Sequence, residues 1–245
     1  MSWGCVPSAA TSPVTLRTVE GELAVFTQAD ELYLARGAEV NPRRPIFTGD
    51  VFEGVAIPGI QGGHGSAMVI SQPCTMRQGP RMRPHMLAIA VQERTPLRPD
   101  RWVRCYKEYP LPELDGESSS HAAHFPLMGR IETADLKLDR RVACLSDTGV
   151  DLLHQRLVWN MTRVRLRLQD IRPFTRPFFD EAELLEDWRE LFCEAGLTED
   201  EATERFDSFM KLDGRRERLG DGNYAAQVRR ECAQEARRQL AERFA

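Results

Sequence analysis

Three short apolar runs between Ile46 and Glu93 constrain this chain more than any other feature. Asp50–Ile57, Ala67–Gln72 and Met86–Val91 are rich in Val, Ile and Ala, and Gly-, Pro- and Arg-bearing connectors separate them. Each run is too short for a buried helix and has the composition of a strand. The chain must therefore build a sheet here, with its arginines on the turns. NPRRP (Asn41–Pro45) before the first run reads as a loop, because two prolines remove backbone donors and push their neighbours to extended geometry.

Around that sheet the pattern changes twice. Upstream, Thr15–Val19 and Leu23–Thr27 read as a hairpin across Glu20–Gly21, after a flexible tail at 1–14 and before a short helix or turn near Asp30–Ala35. Downstream, Trp102–Tyr109 alternates as a strand would, and Phe125–Ile131 and Arg141–Leu145 are further strand candidates. Ser146 is placed to cap a long helix over Asp147–Gln169, whose apolar residues (Val150, Leu153, Leu157, Met161, Val164, Leu168) recur at three- and four-residue steps. Pro173 and Pro177 are expected to end it. The last part of the chain is helical in pattern: Asp180–Ala195, a helix opened by the capping box Thr198–Glu201, and a third from about Asn223 to Phe244. The expectation is an α+β protein: a barrel domain over 15–172 with an embedded long helix, and a helical extension over 178–245.

Charge is segregated. Residues 73–107 carry eight Arg and Lys against two acids, and 136–176 carry nine against four. Residues 178–213 carry thirteen acids against three bases. Such a partition suits a polyanion-facing surface, an internal electrostatic contact, or both, although solvated faces segregate in the same way. No run of about 18 apolar residues exists to cross a membrane. The N-terminus lacks the basic flank and apolar core of a signal peptide, so a cytoplasmic location is expected. The six cysteines form no CxxC pair and read as free thiols. His121 and His124 form an HAAH without the further ligands a zinc site needs, so no metal and no cofactor are expected.

The order TGDVFEGVAIPG, Gly-rich loop, AMVISQ, Arg-rich loop, HMLAIAVQE resembles the PemK/MazF-like family over about residues 47–93. That resemblance implies a small SH3-like barrel, single-stranded RNA as target and a bacterial toxin–antitoxin or phage-defence setting, with a homodimer or an acidic protein partner. Active members carry an Arg-Pro before the second strand and a Ser or Thr ending the third. Here those places hold Gly65-Ser66 and Gln92, with Thr95 further on.

Three functions follow from these residues. The first is non-catalytic nucleic-acid binding, RNA in preference to DNA, through Arg77, Arg81, Arg83, Arg98, Arg101, Arg104 and Lys107, with Trp102 for stacking. The second is an endoribonuclease with a relocated site. Cleavage through the 2′-hydroxyl needs a proton acceptor and a cation for the phosphorane; His64 would be the first and Arg83 the second. Cys74 beside Arg77 is a candidate nucleophile, or a packing thiol next to a proline turn. The third is a protein–protein subunit docking through its C-terminal helices.

Overall fold

The computed structural model describes residues 23–26, 28–57, 63–115 and 119–244. Its strands are β1 (Tyr33–Arg36), β2 (Val51–Ala56), β3 (His64–Val69), β4 (Arg77–Gln78), β5 (Arg81–Met82), β6 (His85–Glu93), β7 (Glu108–Pro112), β8 (Ser120–Glu132) and β9 (Arg141–Leu145). Its helices are α1 (Pro73–Met76), α2 (Pro99–Trp102), α3 (Asp147–Thr162), α4 (Leu168–Glu194), α5 (Glu199–Lys211), α6 (Arg215–Gly220) and α7 (Ala225–Phe244). The protein is α+β. Seven strands form an antiparallel sheet in the order β1-β9-β2-β3-β6-β8-β7, and β4-β5 is a separate ribbon.

The three apolar runs fall on β2, β3 and β6, which lie side by side, although β3 starts at His64, inside the expected Gly-rich connector, and ends at Val69, before Ile70–Gln72. Side chains alternate between two cores, which is why the runs are almost continuously apolar. Val51, Met68, Ile89 and Val91 face one core, which also holds Val150 and Leu153 of α3. Phe52, Ala67, Val69, Ala88 and Ala90 face the other, with Met76, Met86, Ile131 and Leu136.

The expected closed barrel is not formed: the sheet stays open, with β1 and β7 as its edges. The reason lies in Pro110 and Pro112. A proline has no N–H, so it is tolerated only where its strand turns that position away from a neighbour. The outer side of β7 therefore lacks the donors that a ladder to β1 would need. The N-terminal hairpin is not formed over 23–26, which is irregular; Thr15–Val19 and the 1–14 tail lie outside the described residues. Of the short helix or turn expected near Asp30–Ala35, Ala29–Leu32 is a 3-10 turn but Tyr33–Ala35 belong to β1. The strand expected over Trp102–Tyr109 is instead the end of α2 and irregular chain, and β7 starts only at Glu108.

The NPRRP loop is held by one buried side chain. Arg141, on β9, pairs with Asp50 (Nη1 to Oδ2, 2.9 Å) and donates to the carbonyls of Asn41 (2.8 Å) and Arg44 (2.9 Å). Asp50 also accepts from the Phe47 amide (2.9 Å).

Ser146 caps α3 as expected, its hydroxyl accepting from the Gly149 amide at 3.0 Å. The helix ends earlier than its apolar period suggests, at Thr162, where Arg163 turns left-handed (φ +63°). The two prolines do not end a helix. Pro173 and Pro177 lie inside α4, which runs from Leu168 to Glu194. Burial of Ile171, Phe179 and Ala182 and the ion pairs Arg172–Asp151 (3.1 Å) and Arg176–Asp147 (2.8 Å) offset the lost backbone bonds. The boundary expected at 172–178 is thus interior to one helix. Phe179 and Ala182 of α4 join the first core, whereas Leu184, Leu185, Trp188 and Phe192 join a third, helical one. There Trp188 stacks on Phe192 (4.9 Å) and meets Phe206 of α5, with Val228 and Cys232 of α7 closing the bundle. The capping box Thr198–Glu201 is present.

Candidate nucleic-acid interface

The two Arg-rich connectors do not share a face. Residues 73–83 lead into β6 and residues 94–107 leave it, so a nine-residue strand, about 26–30 Å long, stands between them. The single basic surface expected from the sequence is two patches, each with its own surroundings.

In the second connector the aromatic expected to stack on a base is elsewhere. Trp102 is buried against Phe26 (ring centroids 3.9 Å apart), and its carbonyl accepts from Arg156 (3.4 Å). Tyr106 takes its place at the surface. It is half-buried and lies 5.6 Å from Trp159 at an interplanar angle of 44°. Asn160 fixes this segment to the last turn of α3 by donating to the Tyr106 carbonyl (2.8 Å). The Arg165 guanidinium stands 5.3 Å from the Trp159 ring centre, and the Trp159 indole N–H has no hydrogen-bond partner among the described residues.

Further cations neighbour the pair in the chain: Arg104 and Lys107 flank Tyr106, Arg163 follows Trp159 by one helical turn, and all three are exposed. None of the three has a side-chain ion pair or hydrogen bond among the described residues. Arg163, at the C-cap of α3, sits where a cation is electrostatically favourable, since the helix carbonyls end there. Arg98 and Arg101 are also exposed, at the start of the connector. The sequence placed Arg163 and Arg165 on the surface of a longer α3 and assigned neither them nor Trp159 to a binding site. The signal was the basic stretch 136–176, but the helical period extended α3 past Arg163 and concealed that the chain turns there.

The first connector is arranged differently. Arg81 and Arg83 are exposed on and beside the β4-β5 ribbon, and the Arg83 carbonyl accepts from Thr133. Cys74 and Arg77 instead line a cavity of about 370 Å³ against the helical bundle. His64 is exposed at the start of β3, whereas Cys74 follows the end of that strand, so β3 separates them. Neither His64 nor Arg83 lines that cavity. The structure brings Cys74 to Arg77 but does not assemble His64, Cys74 and Arg83 as one catalytic group. His85 is held between Glu132 (2.8 Å) and Arg130 (2.7 Å).

One further group of chemically capable side chains sits beside the interface. Arg94 pairs with Glu108, and the other Glu108 oxygen is 3.7 Å from His124 Nδ1. Tyr109 points into the core, where its hydroxyl donates to the Gly149 carbonyl (2.9 Å), so Glu108 projects from the opposite face of β7. Cys105 lies nearby as a neutral thiol: burial raises its pKa, Glu108 adds to the rise, and Arg94 and Arg156 oppose it. The HAAH histidines cannot chelate together. They lie on a strand three residues apart, so their side chains leave opposite faces. Among the described residues no three His, Cys, Asp or Glu side chains are placed to hold a metal ion, and no helix is long and apolar enough to cross a membrane.

Compared with known proteins, the chain matches no protein-family model and no curated protein.

Proposed function

We propose that this protein binds single-stranded nucleic acid, RNA in preference to DNA, through the surface formed by Tyr106, Trp159, Arg104, Lys107, Arg163 and Arg165. The observation that carries the reading is the Tyr106–Trp159 pair among unpaired arginine and lysine side chains. An aromatic face accepts any base by stacking, and flanking cations follow the phosphates without reading sequence. The preference for RNA, the setting in bacterial toxin–antitoxin or phage defence, and the SH3-like, PemK/MazF-related ancestry of the sheet rest on the resemblance of residues 47–93. The missing Arg-Pro and Ser/Thr favour binding without the cleavage those toxins perform.

A salt titration with a fluorescent single-stranded RNA tests this. Four phosphate contacts give a slope of log K against log salt of about −3. The double variant Arg104→Gln/Arg163→Gln should reduce it by one to two. A slope near zero, or one that the variant leaves unchanged, would remove this surface as the binding site.

The Arg94–Glu108–His124 group favours a second reading, RNA cleavage at a relocated site. Glu108 or His124 would take the 2′-hydroxyl proton and Arg94 would face the phosphorane charge. Mapping fragment ends after incubation with a long RNA decides it. Fragments lost in Glu108→Gln and His124→Ala would support cleavage, and an intact RNA would end it.

A further inference from the structure

We propose that the cavity between the 73–80 connector and the helical bundle is a binding site for a small amphipathic carboxylate, with Arg77 as its anchor. The site lies away from the proposed nucleic-acid surface and stands independently of it. The cavity volume of about 370 Å³ is in the range that holds small organic ligands, roughly 300–1,000 Å³. Its wall is largely apolar: Ile46 and Phe47 come from the NPRRP loop side, Phe178 and Leu185 from α4, and Phe206 from α5.

The polar residues at one side define the ligand's head. Arg77, Lys211 and Arg216 face Glu181 and Asp207. Both acids are already engaged: Asp207 holds Arg216 (2.8 Å) and Lys211 (2.6 Å), and Glu181 holds the Arg216 Nε (3.0 Å). Arg77 is left with no hydrogen bond and no ion pair among the described residues. Burial, with Arg189 and Arg216 nearby, lowers its pKa to about 10, against the opposing pull of Glu181 and Asp207, so it stays charged at neutral pH. A largely enclosed guanidinium facing a cavity is a two-pronged donor without an acceptor, and a carboxylate matches that fork. The group carries one surplus positive charge, which a single carboxylate neutralises. A doubly charged phosphate would exceed that surplus and leave an uncompensated negative charge beside Glu181 and Asp207. The apolar wall then takes a hydrocarbon tail.

The test uses the full chain with decanoate, and with decanol and decylamine as tail-matched controls, read by thermal unfolding. Decanoate at about 100 times its Kd should raise the midpoint by about 5–10 °C. Decanol should bind at least tenfold more weakly, and decylamine should give no shift. Arg77→Met should abolish the preference for decanoate over decanol. Cys74, exposed on the cavity wall, gives a readout that needs no variant: decanoate should slow its alkylation by iodoacetamide in peptide mapping and leave Cys193 unaffected. Equal shifts from decanoate and decanol, no shift from decanoate, unprotected Cys74, or a preference surviving in Arg77→Met would each overturn the proposal.

Discussion

The Tyr33 hydroxyl donates to the Pro112 carbonyl across 2.8 Å, joining the two edge strands of the sheet by a side chain rather than a ladder. Arg36, from the same end of the fold, donates to the Glu113 carbonyl at 2.9 Å. The sheet therefore curls far enough for β1 and β7 to meet. Pro110 and Pro112 prevent backbone pairing there, and β1 supplies side-chain donors instead. This seam occupies the place where a closed barrel would have its last pair of strands.

Tyr33→Phe removes that donor and leaves the Pro112 carbonyl without it. A neutral hydrogen bond of this kind contributes about 0.5–1.5 kcal/mol. Urea unfolding should show a loss of that size, with faster amide exchange in β1. An unchanged midpoint would mean the seam does not hold the edges.

Gly149→Ala sets helix propensity against packing. Alanine is the better helix former by about 1 kcal/mol. A Cβ at Gly149, however, would lie 2.3 Å from the Leu32 carbonyl oxygen and 3.1 Å from Leu145 Cβ. That backbone atom is fixed, because the Ser146 amide donates to it at 2.8 Å. A net destabilisation of about 1–3 kcal/mol is expected; a stabilised variant would show that α3 can shift away from Leu32 in the 3-10 turn before β1.

Arg141→Met strands Asp50 as an unpaired buried carboxylate and releases the NPRRP carbonyls. Removing one partner of such a pair costs about 3–5 kcal/mol. Arg141→Lys keeps the charge but lacks the planar fork that reaches several acceptors, so it should lose stability too. Denaturant midpoints decide this, and a loss under about 1 kcal/mol for Arg141→Met would contradict the loop's dependence on it.

Alkaline pH should weaken the fold, whereas neutral pH should leave it intact. Burial raises the Tyr33 and Tyr109 hydroxyls and the Cys144 thiol well above their ordinary ranges, and it raises Cys232 to about 12. Unfolded thiols and tyrosines ionise near about 8.5 and 10. Between those values and the folded ones the unfolded chain binds fewer protons, so stability falls as pH rises. The contribution of these groups is complete below about pH 8. The unfolding midpoint should hold from pH 7 to 8 and decline through pH 11, less steeply in Cys232→Ala over pH 9–11. A midpoint constant to pH 11 would contradict the burial of these groups.

Local rules carried much of the fold. Strand propensity and length located β2, β3 and β6, hydroxyl caps located Ser146 and Thr198, and the prolines of NPRRP imposed a loop, because each of these depends on near neighbours in the chain. What depended on distant neighbours was not legible. Pro173 and Pro177 stay helical only because α3 supplies ion partners and a core for α4. Trp102 points inward only because Phe26 waits there, and Tyr106 is the half-buried ring at the surface because it packs on Trp159 near the end of α3. Charge counting found the arginines of 73–107, but not that β6 holds them apart, since net charge has no direction. The sequence alone determined that the three apolar runs would be extended and where α3 and α5 would be capped; tertiary packing decided which strands pair, which arginines meet a partner, as with Arg141 and Asp50, and which, like Arg77, face a cavity without one.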